Sequence, residues 1–206
     1  MLITEGTNLK NHEKCIHESV VSSKMAHVMQ AFKYVFVLAS STDIDRLAAI
    51  QKAAKSASKN LYINSAYTKE TMRIFTEREA KFADGLYEFH PIFATERSLD
   101  KMKREGFVLV TGVNKKEDIE HMRMQLPDNE TILIYSSWDG YYKIPEQVDV
   151  NPKYKEFRDS FNNVVDIHTS GHADRDTIKK VIDIVNPKDE VIVIHKEADA
   201  SLDMLY

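Results

Sequence analysis

The sequence predicts an α/β fold built on one or more parallel-rich sheets with helices on both faces. Three observations carry this: short β-branched runs recur along the chain, capped amphipathic stretches separate them, and the runs are nearly continuous in apolar residues, as strands covered on both faces are. The 206 residues suffice for a sizeable core. With 43% hydrophobic and 29% charged residues the composition is that of a folded globular chain.

In order, strands are expected at 1–4, 34–38, 60–63, 106–110, 131–135, 163–167 and 190–194. Val21, Met25, Val28 and Phe32 draw one helical stripe. Asp43 is a capping residue ahead of Leu47, Ile50, Ala54 and Ala57, and Asn114 with Glu117 has the spacing of a capping box before Ile119 and Met122. Asp174 and Thr177 supply capping oxygens to a helix whose Ile178, Val181, Ile182 and Val185 share a face, and Pro187 stops it. No repeat of 20 to 50 residues and no low-complexity segment is present.

Charge and cysteine content exclude several functions. Lys and Arg number 28 against 32 Asp and Glu, a net charge of −4, so a broad basic face for gripping duplex nucleic acid is not expected and phosphate contacts must be local. The single cysteine, Cys15, can form neither an internal disulfide nor a thiolate zinc cluster, and it reads as a spectator thiol. No stretch reaches 18 uninterrupted apolar residues and the first residues lack a leader pattern; a cytoplasmic protein with no membrane partner is the expectation.

Ligands of open parallel sheets settle beyond the carboxyl ends of the strands. There the chain places Glu5-Gly6-Thr7-Asn8, Ser40-Ser41-Thr42-Asp43, Ser136-Ser137-Trp138-Asp139, His168-Thr169-Ser170-Gly171-His172 and His195-Lys196-Glu197. Imidazoles, a carboxylate and hydroxyls near helix starts suit phosphate and metal chemistry. Gly171 permits a tight turn whose N–H groups can face an anion, with His172 directed into the same hollow or bonded within its own turn. His195 is a ligand or a packed strand-end histidine. Ser40 to Asp43 serve as a cap or a phosphate contact, and Trp138 with Tyr141 and Tyr142 either packs or stacks a ring.

Taken in order, the motifs resemble the β-CASP branch of the metallo-β-lactamase-fold hydrolases, the group containing ribonuclease J. Leu2-Ile3-Thr4-Glu5-Gly6-Thr7 is similar to motif A, Ile167-His168-Thr169-Ser170-Gly171-His172-Ala173 to motif B, and Val191-Ile192-Val193-Ile194-His195-Lys196-Glu197 to motif C. The stretch 37–46 resembles the first strand and helix of the family's inserted domain, and 134–138 one of its later strands. The resemblance implies residues 1–10 and 151–206 as a remnant of the metallo-β-lactamase core and 11–150 as the β-CASP domain. It further implies His195 as a zinc ligand, Glu5 as a support of the metal site, and His172 as a contact to the scissile phosphate or an aid to proton transfer. Ser40, Ser41, Ser136, Ser137, Ser170 and Gly171 would bind substrate.

The His-x-His-x-Asp-His segment that supplies most family ligands is absent from these residues. The expectation is therefore the carboxyl-terminal half of a zinc-dependent phosphodiesterase acting on single-stranded RNA or another phosphate ester. Zinc would belong to the intact parent, bound weakly or not at all by this chain, which would itself be inactive or weakly active. Such a chain would form a homo-oligomer or join a polypeptide supplying the other half. The rivals are a metal-free nucleotide-binding, phosphate-binding or RNA-binding module and a plain interaction domain.

Overall fold

A computed structural model describes residues 1–12, 14–79 and 85–206. In chain order the elements are β1 (Leu2–Glu5), α1 (Glu18–Ala31), β2 (Tyr34–Leu38), α2 (Ile44–Ser56), β3 (Leu61–Ile63), α3 (Ala66–Glu79), β4 (Ile92–Phe93), α4 (Glu96–Glu105) and β5 (Phe107–Thr111). They continue with α5 (Lys116–Arg123), β6 (Thr131–Tyr135), α6 (Gly140–Lys143), α7 (Pro145–Val150), α8 (Lys153–Asp159), β7 (Val164–Asp166), α9 (Arg175–Val185) and β8 (Val191–Ile194). Residues 18–168 form one compact unit, and residues 1–17 with 169–206 form another.

The larger unit holds a six-stranded sheet in the order β4-β3-β5-β2-β6-β7, every pairing parallel. β2 is central: Val35 lies opposite Val108 on one side and Ile132 on the other. All residues of β2, β3, β5 and β6 are buried, as β-branched and aromatic runs without alternation demand. Phe36, Phe107, Leu109, Leu133 and Tyr135 pack on one face with Met102 of α4, Ile119 of α5 and Phe157 of α8. Phe36 meets Phe107 edge-on, with ring centroids 5.2 Å apart. Val35 and Val37 alternate to the opposite face and are equally buried. Asp43 caps α2 by accepting from the Arg46 N–H at 3.1 Å.

In the smaller unit β1 and β8 form a two-stranded parallel sheet. Leu9, Ile178, Ile182 and Leu205 make its core, with Leu2, Val191 and Val193 packed against it. Asp174 caps α9 through the Thr177 N–H at 2.8 Å. Asn186 closes α9 in the left-handed conformation, so the helix ends at an asparagine cap one residue before Pro187.

Four local expectations are corrected. β1, β7 and β8 are half-exposed, because their sheets leave them uncovered on a face or edge. β4 is an additional strand, two exposed residues at the sheet edge after Pro91, too short to leave a pattern. Asn114 lies within a 3₁₀ turn (113–115) and caps nothing; its side chain accepts from Lys153 instead. On α9 Ile178 and Ile182 are buried while Val181 and Val185 face solvent. The contact-defined units also differ from the expected boundaries: α8 and β7 pack with the larger unit, β7 through its pairing to β6, and residues 11–17 go with the smaller.

Candidate functional site

In the smaller unit the parallel register sets Glu5 opposite Ile194, so Glu5 and the next residue of the other strand, His195, emerge together at the carboxyl end. Gly6 makes this approach possible: a Cβ there would lie 2.3 Å from Val193 Cγ1. The Gly6 N–H donates to the Ile194 carbonyl at 3.0 Å, and the Thr7 hydroxyl donates to the His195 carbonyl at 3.2 Å. His195 takes a left-handed backbone (φ 55), which costs a non-glycine residue about 1 kcal/mol and turns the chain sharply off the strand.

The loop before α9 is tied to the same end. Buried Asn8 donates its amide to Ser170 Oγ, the His172 carbonyl and the Ala173 carbonyl at 3.1 to 3.3 Å. Ser170 Oγ also accepts from the His172 N–H at 3.1 Å. Glu5 completes the arrangement: Oε1 accepts from the Ala173 N–H at 2.6 Å, and Oε2 lies 2.9 Å from His172 Nδ1. The His172 and His195 rings stand 6.0 Å apart, nearly perpendicular.

Burial pushes the Glu5 carboxyl up, but hydrogen bonds from Ala173 and Thr7 and the charge of His172 outweigh it and hold the group below its ordinary range. Glu5 is thus a carboxylate whose Oε2 faces His172 Nδ1 at ion-pair distance without a hydrogen bond of its own, so its charge attracts a protonated His172. The His172 side chain is 47% exposed, so it can meet a ligand. Cys15 Sγ contacts the His172 carbonyl at 3.3 Å. Burial, then Asp174 and Glu5, raise its thiol pKa against a weaker opposing bond to Thr169, which leaves Cys15 a poor nucleophile.

The expected hydroxyls at 40, 41, 136 and 137 lie in the larger unit, at the carboxyl ends of β2 and β6. These neighbouring strands send their connections to opposite sides, to β3 and β7, which defines the sheet's switch point. Ser40 bonds Thr42 at 2.9 Å and Ser41 bonds Thr68 at 2.7 Å. Ser136 Oγ accepts from Arg46 Nη1 at 2.7 Å, and Ser137 is half-buried. Arg46, 1% exposed, pairs bidentately with Glu18 (Nη2 to Oε1 2.8 Å, Nε to Oε2 3.0 Å) and also reaches His168 Nδ1 at 3.0 Å. Sequence reasoning missed this network; its one signal was an arginine beside Leu47 on the apolar stripe of α2.

Gly171 also departs from expectation. It has no positive φ, and a Cβ would meet nothing within 4 Å, so its turn does not require glycine.

Among the described residues no three His, Cys, Asp or Glu side chains form a group able to hold a metal ion. A catalytic zinc normally takes three protein ligands, and one of the two Glu5 oxygens already accepts from the Ala173 N–H. These residues alone do not fit a zinc centre.

Residues 162–204 match the family described as the Zn-dependent metallo-hydrolase RNA specificity domain. The matched segment runs from the start of β7 past β8 and contains Ser170, His172 and His195. The match is to a family of zinc-dependent metallo-hydrolases and supports the metallo-β-lactamase resemblance. No curated protein matches the chain. Among the described residues no helix is long and apolar enough to cross a membrane.

Proposed function

We propose that the chain is the RNA-engaging, carboxyl-terminal portion of a β-CASP metallo-hydrolase resembling ribonuclease J, with His172 as its contact to a phosphodiester oxygen. The observation that carries this is the Glu5–His172 pair: a part-buried carboxylate fixes an exposed imidazole, 6.0 Å from a second one, inside the segment that matches an RNA-specificity domain. Protonated, His172 offers a charge-assisted hydrogen bond to phosphate; neutral, it accepts a proton. Ser170 and Gly171 shape the loop that presents it. Ser40, Ser41, Ser136 and Ser137 are substrate contacts in the larger unit, the first three also holding bonds to Thr42, Thr68 and Arg46.

The chain binds RNA but cleaves it weakly or not at all by itself, because among the described residues the donors do not close on a metal; the remaining ligands come from a complementing segment or polypeptide. His195 contributes one ligand once they are present. Ile3, Ile192 and Ile194 are exposed on the β1–β8 pair, which favours a homo-oligomer or a complementing polypeptide. The test is incubation of labelled single-stranded RNA with the chain and Zn²⁺. Binding without robust cleavage is expected; zinc-dependent cleavage by this chain alone would overturn the assignment of its metal ligands, and absence of binding would overturn the RNA reading.

A further inference from the structure

Trp138 is the chain's only tryptophan, and 44% of it is exposed. It follows β6 by three residues, at the carboxyl end of the larger sheet and beside its switch point. Its backbone is pinned: the carbonyl accepts from the Tyr135 hydroxyl at 3.2 Å and from the Tyr141 N–H at 3.3 Å. The indole is fitted as well. A Cβ on Gly140 would lie 2.3 Å from Cζ2 and 2.5 Å from Cε2, so the ring rests where only glycine leaves room. Tyr141 meets the indole edge-on at 5.3 Å and itself stacks on Tyr154 at 4.3 Å.

An aromatic that merely fills a core is buried by what surrounds it; this one is braced by a glycine and a tyrosine pair and left open. Neighbouring cations are already engaged, Lys143 with Asp139 at 2.6 Å and Arg158 with Asp166 at 2.9 Å. With a net charge of −4, the chain has little Coulombic grip to offer a phosphate backbone. What remains on offer is a fixed π surface, and every nucleobase has a face that stacks on one.

We propose that Trp138 is a stacking platform for an unpaired base of single-stranded RNA. The occupant rests on the RNA reading above; the platform rests on the Trp138–Gly140–Tyr141 geometry. As the single indole, Trp138 reports on itself through its intrinsic emission.

The test titrates the full chain with AMP, ribose 5-phosphate and a single-stranded oligoadenylate, while anisotropy of end-labelled oligoadenylate follows binding independently. AMP and oligoadenylate are expected to quench the emission and ribose 5-phosphate to leave it unchanged. Trp138→Ala should weaken oligoadenylate binding about tenfold or more, and Trp138→Phe by less. Gly140→Ala, which displaces the ring without removing it, should weaken binding too. Circular dichroism confirms that each variant is folded; should Trp138→Ala not fold, Trp138→Phe and the quenching data carry the test. Oligoadenylate binding by anisotropy with unchanged emission would overturn the platform and leave the RNA reading standing. Quenching by AMP without oligoadenylate binding would overturn RNA as the occupant, and equal quenching by ribose 5-phosphate would overturn stacking.

Discussion

Arg46 lies 3.0 Å from His168, guanidinium Nη1 to imidazole Nδ1. Arginine can only donate, so Nδ1 must accept and His168 is the neutral tautomer protonated on Nε2. Burial, and then the Arg46 charge, push the imidazole below its ordinary 6.5, while Asp43 and Glu18 pull weakly the other way. A histidine whose folded pKa is depressed gives stability that is complete above the unfolded pKa. That stability is lost as pH falls below 6.5 toward the folded value, where the unfolded chain binds the proton more readily. Thermal melts in that window should show His168→Asn, whose Oδ1 can replace Nδ1 as acceptor, losing less stability on acidification than the parent chain.

Removing the guanidinium should cost more than removing its carboxylate partner. Arg46 is 1% exposed and also serves Ser136 and His168, whereas the Glu18 side chain is 27% exposed and can recover water. Arg46→Ala is expected to lose about 3 kcal/mol and Glu18→Gln about 1 kcal/mol in urea unfolding. Equal losses would mean that the ion pair, rather than the whole network, is what matters.

Glu5 separates two functions by substitution. Glu5→Ala leaves the Ala173 N–H without its acceptor and should destabilise by about 1 to 3 kcal/mol; Glu5→Gln keeps that bond and should cost less. Because the folded carboxyl titrates below its ordinary 4.5, its contribution is complete above that pH and fades as pH drops through the lower folded value. Denaturation of parent and Glu5→Gln at neutral and acid pH checks both statements: the gap between them should narrow in acid.

Two glycines should respond oppositely to alanine. Gly6→Ala drives a methyl into Val193 and should cost about 1 to 3 kcal/mol, whereas Gly171→Ala meets open space and should stay within about 0.5 kcal/mol. Melting temperatures of the pair suffice. A neutral Gly6→Ala would show that β1 and β8 are not held as closely as their register implies.

Much of the fold was legible because its central strands are covered on both faces, which leaves continuous apolar runs such as Tyr34–Leu38 and Thr131–Tyr135 for the eye to find. β4 escaped because two edge residues carry no period. At the site, Glu5, His172 and His195 could be singled out since each lies just past a strand or before a capped helix. Their pairing could not be, since the Glu5–His172 contact spans 167 positions of chain and depends on Asn8 and Ser170 folding the loop back. Arg46 was hidden for a different reason: a charged residue on a helix reads as solvated until its partners are known.

The central claim is that the Glu5–His172 pair meets RNA phosphate, and the most direct measurement is equilibrium binding of a labelled single-stranded RNA to the full chain and to His172→Ala. Loss of one charge-assisted bond should weaken binding about tenfold while the melting temperature barely moves. Undiminished affinity in a folded His172→Ala chain would contradict it.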